Sequence, residues 1–194
     1  MSDLGHITYF LGMEINLCDD GIFISQKRYA LEILRKFKME KSKPVSTSLI
    51  HNEKLSRSEK GDDADASLYR SLIGSLLYHT ATRPDLMYAV AGVLSRFLQS
   101  PGQVHMGAAK RVLRYVKGTH DYGIWYTQSE DVKLFGYADS DWAGCPDDLK
   151  STTGYVFSLG SGVFSWLSKK QEVIAESTTE AEYMATIAVA NQAI

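Results

Sequence analysis

Two pairs of carboxylates have the types and spacing that could do chemistry: Asp139 and Asp141 in "FGYADSDWAG", and Glu180 and Glu182 in "ESTTEAEYMA". Aspartate is a poor strand former, so its place directly after the run from Lys133 to Ala138 calls for a turn or for a reaction. If that run is a strand, Asp139 stands at its C-terminal end and Asp141 shares its face by the alternation of two. In the second stretch Ser177 or Thr178 can cap a helix, with Glu180 and Glu182 in or just after the first turn. Glu182 borders the apolar face of Ala181, Ala185, Ala188 and Val189 better than Glu180 does. An acid at a strand end and an acid on a packed helix suit a hard divalent cation such as Mg²⁺, which takes carboxylate oxygens and often substrate phosphates. Two such ions about 4 Å apart activate water and stabilise the leaving oxygen in phosphodiester hydrolysis. The residue types leave a second reading open, an Asx-turn at Asp139 and Asp141 and a capping box between Ser177 and Glu180.

A basic stripe is the other candidate. Lys110, Arg114 and Lys117 recur at helical spacing in "AAKRVLRYVKGTH", with Arg111 alongside and Tyr115 near. Such a face could track a phosphate backbone, or it could simply be a solvated helix surface. The five histidines show no ligand or triad spacing and are read as structural. Cys18 and Cys145 lie far apart without a C-x-x-C or Cys/His cluster, which argues for reduced thiols and against a disulfide framework or a zinc site. Cys145 has no local base in the sequence, so nucleophilic catalysis is not expected there.

These groups must be held by elements that the hydrophobic pattern announces. "ITYFLGMEI" (7–15) and "GIFIS" (21–25) read as a β-hairpin, and "QKRYALEILRKFKME" continues as a helix that ends before Ser42 to Pro44. Residues 45–67 are polar, include Asp62, Asp63 and Asp65, and are expected to form an exposed linker. Helical patterns return in "SLYRSLIGSLLYHTATR", after the break at Arg83-Pro84-Asp85 in "DLMYAVAGVLSRFLQS", and in "VHMGAAKRVLRYVKGT" up to Gly118. After Asp121 the period changes to two: "YGIWYT", "KLFGYAD", "GYVFSLG" and "VFSWLSKK" read as strands, and "TTEAEYMATIAVANQ" as a helix. The expected fold class is α+β.

The whole chain bounds these readings. Its 194 residues are 44% hydrophobic and 23% charged, enough for one large or two small cores. With 21 basic and 23 acidic residues the net charge is −2, which does not by itself call for a polyanionic partner. No apolar run approaches the eighteen or so residues that span a bilayer, and the first residues do not have the build of a signal peptide. The expectation is a soluble intracellular chain, cytoplasmic or nuclear, with no membrane partner.

Seven blocks in order, "YFLGMEI", "LYRSLIGSLLY", "TRPDLMYAV", "AAKRVLRYVKGT", "YADSDWAG", "STTGYVFSLG" and "SKKQEVIAESTTEAEYMA", together resemble the pol polyprotein of copia-type LTR retrotransposons over nearly the whole chain. The resemblance implies that residues 1–126 are the thumb-like and connecting end of the reverse transcriptase, and that 127–194 are the first half of a ribonuclease H domain, a truncated sheet with one helix. It implies metal-dependent cleavage of RNA in RNA/DNA hybrids as the family activity, Mg²⁺ or Mn²⁺ as cofactor, Asp139 and Glu182 as catalytic and metal-binding residues, and an RNA/DNA hybrid as partner. The family's Tyr-x-Asp-Asp polymerase hairpin is expected upstream of "MSDLG", and a strand with an Asp-Asn pair after the last residue. The chain is therefore expected to be inactive alone, or to need a complementing pol chain. The alternatives are a non-catalytic nucleic-acid-binding module using Lys110, Arg111, Arg114 and Lys117, or an inactive relic. Two positions depart from the family pattern: Leu149, where a basic residue is usual, and Ser48, where proline is.

Overall fold

The structure is a computed structural model that describes residues 7–51, 53–59, 61–129 and 132–194. Its first half begins with β1 (Tyr9–Phe10), β2 (Met13–Cys18) and β3 (Gly21–Ser25), an antiparallel set. The predicted first run is split at Leu11 and Gly12, both at positive φ, where the Tyr78 hydroxyl donates to the Leu11 carbonyl at 2.8 Å. A Cβ at Gly12 would run into that hydroxyl, so the break needs glycine twice over. The turn between β2 and β3 is shorter than the sequence reading had it, because β2 runs on through Cys18.

Three α-helices follow: α1 (Lys27–Lys36), α2 (Ala66–His79) and α3 (Gln103–Gly118). Their apolar stripes close one core, with Ala30, Ile33 and Leu34 from α1, Leu72, Ile73 and Leu76 from α2, and Val112, Leu113 and Val116 from α3. Between α2 and α3 the pattern promised a regular helix. The chain instead winds as a 3₁₀ turn (Pro84–Leu86), a π-helix (Tyr88–Val93) and a second 3₁₀ turn (Leu94–Phe97). The wide π turn brings the backbone of Gly92 against Ser168, and a Cβ on Gly92 would collide with the Ser168 hydroxyl.

Among the described residues of 45–67 most are exposed, but Leu55 and Ser56 are buried, and α2 already begins at Ala66. His105, fully buried, accepts from the Gly102 N–H at Nδ1 (3.0 Å) and so donates from Nε2 to the Ser56 carbonyl (3.0 Å), while its ring stacks on Phe97 at 3.7 Å. The fold class is α+β, as the pattern announced, but the first of the four late strands does not join the others. Strand β4 (Gly123–Thr127) pairs antiparallel with β3 and completes a sheet of order β1-β2-β3-β4. The second sheet is β5 (Leu134–Asp141), β6 (Thr152–Leu159) and β7 (Gly162–Lys170), antiparallel in that order, and α4 (Thr178–Ala193) packs on β5 and β6. Among the described residues no helix is long and apolar enough to cross a membrane.

Candidate functional site

The second sheet has two faces, and the register assigns each side chain to one of them. In an antiparallel pair, directly opposed residues share a face. Gln171 donates from Nε2 to the Thr153 hydroxyl (3.0 Å) and to the Ala181 carbonyl (3.1 Å), and the Tyr155 hydroxyl donates to Gln192 (3.2 Å), so Thr153 and Tyr155 face α4. Their partners Ser140 and Ala138 face α4 too. Asp139, opposite Gly154, and Asp141, opposite Thr152, therefore leave by the other face.

That other face looks back at the first half of the chain. It frames a cleft of about 320 Å³ whose walls include Tyr137, Asp139, Asp141, Met87, Tyr88 and Trp166. The Tyr88 hydroxyl donates to Asp141 Oδ2 at 3.1 Å; burial, then the charge and hydrogen bond of Asp141, push that phenol up to about 12. Arg96 donates to the Thr152 hydroxyl at 2.6 Å, and Trp166 donates from Nε1 to the Thr80 carbonyl at 3.2 Å. Asp139 is exposed, and its carboxylate makes no hydrogen bond or ion pair among the described residues. Gly144 closes the turn after β5, since a Cβ there would run into the Asp141 carboxylate.

The glutamates divide as follows. Ser177 Oγ accepts from the Glu180 N–H at 3.2 Å, and Glu180 Oε2 reaches back to the Glu176 N–H at 2.7 Å, so Glu180 caps its helix. Ala181 and Ala185 are the buried contacts of α4, while Glu182 is exposed on it. Glu182 thus belongs to the layer that covers the Thr153 and Tyr155 face, and Asp139 to the opposite face. The divalent ion implied by the family resemblance does not fit these residues as they stand: they start on two sides of the sheet, and among the described residues no group of three or more His, Cys, Asp and Glu could hold a metal.

The basic stripe is largely occupied. Arg111 donates to the Thr47 hydroxyl (2.8 Å), Arg114 to the Lys43 carbonyl (2.7 Å) and Lys117 to the Ser42 carbonyl (2.5 Å), which ties the chain after α1 down along α3. Lys110 alone of the four has no such contact among the described residues, and it is exposed.

Two clusters escaped the sequence reading. Arg83, 1% exposed, forks onto both oxygens of Asp85 (2.9 and 2.7 Å) and also donates to the Thr119 carbonyl and hydroxyl, between the rings of Tyr115 and Tyr122. The signal was the Arg-Pro-Asp triplet, in which proline rigidly sets the pair of charges two residues apart. The other is Cys145, Asp148 and Lys170, brought together from a loop and a distant strand with no local signal.

With the geometry described, comparison with known proteins places the chain among transposon sequences. It is 42% identical over 183 residues to a retrovirus-related Pol polyprotein from transposon RE1 of Arabidopsis thaliana, covering 94% of this chain and 12% of that protein. It is 44% identical over 195 residues to the one from transposon TNT 1-94 of Nicotiana tabacum, covering 95% of this chain and 14% of that protein. An uncharacterized mitochondrial protein of Arabidopsis thaliana is 41% identical over 187 residues, 95% of this chain and 76% of that protein. The chain thus spans about an eighth of the length of the Pol polyproteins it matches. No family model matches the sequence. No solved structure matches it.

Proposed function

Because the chain belongs to the family of retrovirus-related Pol sequences of transposons, we propose that it is the stretch of such a polyprotein joining the end of the reverse transcriptase to the start of ribonuclease H. The observation that supports this is the extent of the similarity, which runs over 90% to 95% of the chain and so across both sheets and α4. On this reading residues 1–126 are the thumb-like and connecting part, and β5 to β7 with α4 open a ribonuclease H-like domain. The activity it belongs to is cleavage of RNA in RNA/DNA hybrids, with Asp139 and Glu182 at the catalytic positions by resemblance.

Alone, the chain is a scaffold rather than a nuclease. Asp139 and Glu182 sit on opposite sides of the second sheet, and a cation bound through charge and geometry gains little from two carboxylates that do not converge. A complementing pol chain that supplied further metal ligands at the Asp139 face would be the partner that completes it. The test is cleavage of a labelled RNA/DNA hybrid by the purified, folded chain in Mg²⁺ or Mn²⁺, with Asp139→Asn and Glu182→Gln as controls. We expect no cleavage by any of the three. Cleavage by the parent chain that both substitutions abolish would overturn the reading of an incomplete site.

A further inference from the structure

The loop that follows β5 places a thiol, an amine and a carboxylate in contact. Lys170, at the end of β7, donates from Nζ to Cys145 Sγ at 3.2 Å and pairs with Asp148 Oδ2 at 2.5 Å. Backbone bonds fix the thiol's loop on itself: the Cys145 N–H donates to the Lys150 carbonyl (3.2 Å) and the Leu149 N–H to the Cys145 carbonyl (2.8 Å). Ala143 and Leu149 both stand at positive φ, 50° and 56°, a conformation that non-glycine residues hold only where the surroundings over-determine it. The lysine is fixed from the other side, because Lys170 pairs in register with Thr152 on the central strand. The three groups therefore meet by construction and not by the wandering of a surface lysine.

We propose that Cys145 and Lys170 form a covalent Sγ–O–Nζ bridge in the presence of molecular oxygen, a cross-link that fastens the loop after the Asp139–Asp141 strand end to β7. The balance is one thiol, one ammonium group and one O₂ giving the bridge, one water and one proton. The S–H bond and two N–H bonds break, and one S–O and one N–O bond form. Sulfur and nitrogen each give up two electrons, and dioxygen takes all four, one of its atoms staying in the bridge and the other leaving as water. The Asp148 carboxylate, already hydrogen-bonded to the ammonium, is the base that passes the released proton to solvent.

Burial selects the oxidant. Cys145 is 2% exposed, so bulky thiols and electrophiles do not reach its sulfur, whereas dioxygen is small and apolar enough to enter a protein interior. Cys18 is exposed, with no lysine bonded to it among the described residues, and serves as an internal control. The bridge also removes the positive charge that Asp148 faces, so the oxidised loop loses an ion pair as it gains a covalent tie.

The test is the intact mass and the proteolytic map of the full chain purified under air and, in parallel, without oxygen. The expected result under air is a species heavier by one oxygen and lighter by two hydrogens, with the peptides of Cys145 and Lys170 joined. A thiol reductant reverses it once the chain is unfolded in denaturant, Cys18→Ser keeps it, and Cys145→Ser and Lys170→Arg each lose it. The oxidised parent chain should also melt at a higher temperature than its reduced form. Recovery of both peptides unlinked from the folded, air-exposed parent chain overturns the proposal. So does a direct S–N link, which would lose two hydrogens without gaining oxygen.

Discussion

Arg83 shows most plainly what a single side chain does in this fold. Its guanidinium is fully withdrawn from water, so its charge is tolerable only because Asp85 and Thr119 use its donors. Removing one partner of a buried pair costs about 3–5 kcal/mol, and that is the loss expected for Arg83→Ala in urea unfolding at neutral pH; a loss under about 1 kcal/mol would contradict it. Burial raises the Asp85 pKa, but the hydrogen bonds and charge of Arg83 outweigh this and hold it below the usual carboxylate value. Its contribution is therefore full above about pH 4 and is lost as the pH falls through the lowered folded value. His79 acts over a higher window. Burial, then the charge of Arg83, lowers its pKa to about 4, so the unfolded chain binds a proton first, and stability declines as the pH falls from about 6.5 to about 4. Unfolding of His79→Gln followed across that window should show a shallower slope than the parent; an unchanged slope would mean that His79 is not the group responsible.

Elements carry the next set of forces. The helices α1, α2 and α3 and the five longer late elements were legible because burial on one side imposes a period of 3.6 or 2 on the residues. The π-helical stretch was not, since it accompanies the close approach of Gly92 to Ser168 on a strand about 76 residues away, a contact no local period encodes. The same holds for β4: its alternation announced a strand, but its partner β3 lies about 100 residues earlier. Of the two side-chain caps, Ser177 was legible in the sequence, whereas Asp65 was read only as part of the exposed stretch 45–67. Asp65 accepts from the Ser67 and Leu68 N–H groups and Ser177 from that of Glu180, so Asp65→Ala and Ser177→Ala should each cost about 1 kcal/mol by urea unfolding, and no change in either would contradict the capping role. On α3, Arg114→Ala with Lys117→Ala should lower the melting temperature, because both side chains satisfy carbonyls of the chain after α1. A nucleic-acid role for the stripe predicts the reverse, loss of hybrid binding at unchanged melting temperature.

At the scale of the whole molecule the two halves meet through particular contacts. The Tyr126 hydroxyl donates to the Val163 carbonyl (2.7 Å), Trp166 to that of Thr80, and Tyr88 to Asp141, so the Asp139 face is turned toward the π-helical stretch. The alternation of two correctly placed Asp139 and Asp141 on one face of β5. Nothing in the sequence said which face α4 would cover, because that depends on where the chain crosses after β7. The most direct measurement of the account is a calorimetric titration of the folded chain with Mn²⁺, alongside Asp139→Asn and Glu182→Gln. The account predicts no saturable site that depends on both residues. A site that either substitution abolishes would show that the two carboxylates share an ion and that the sheet does not keep them apart.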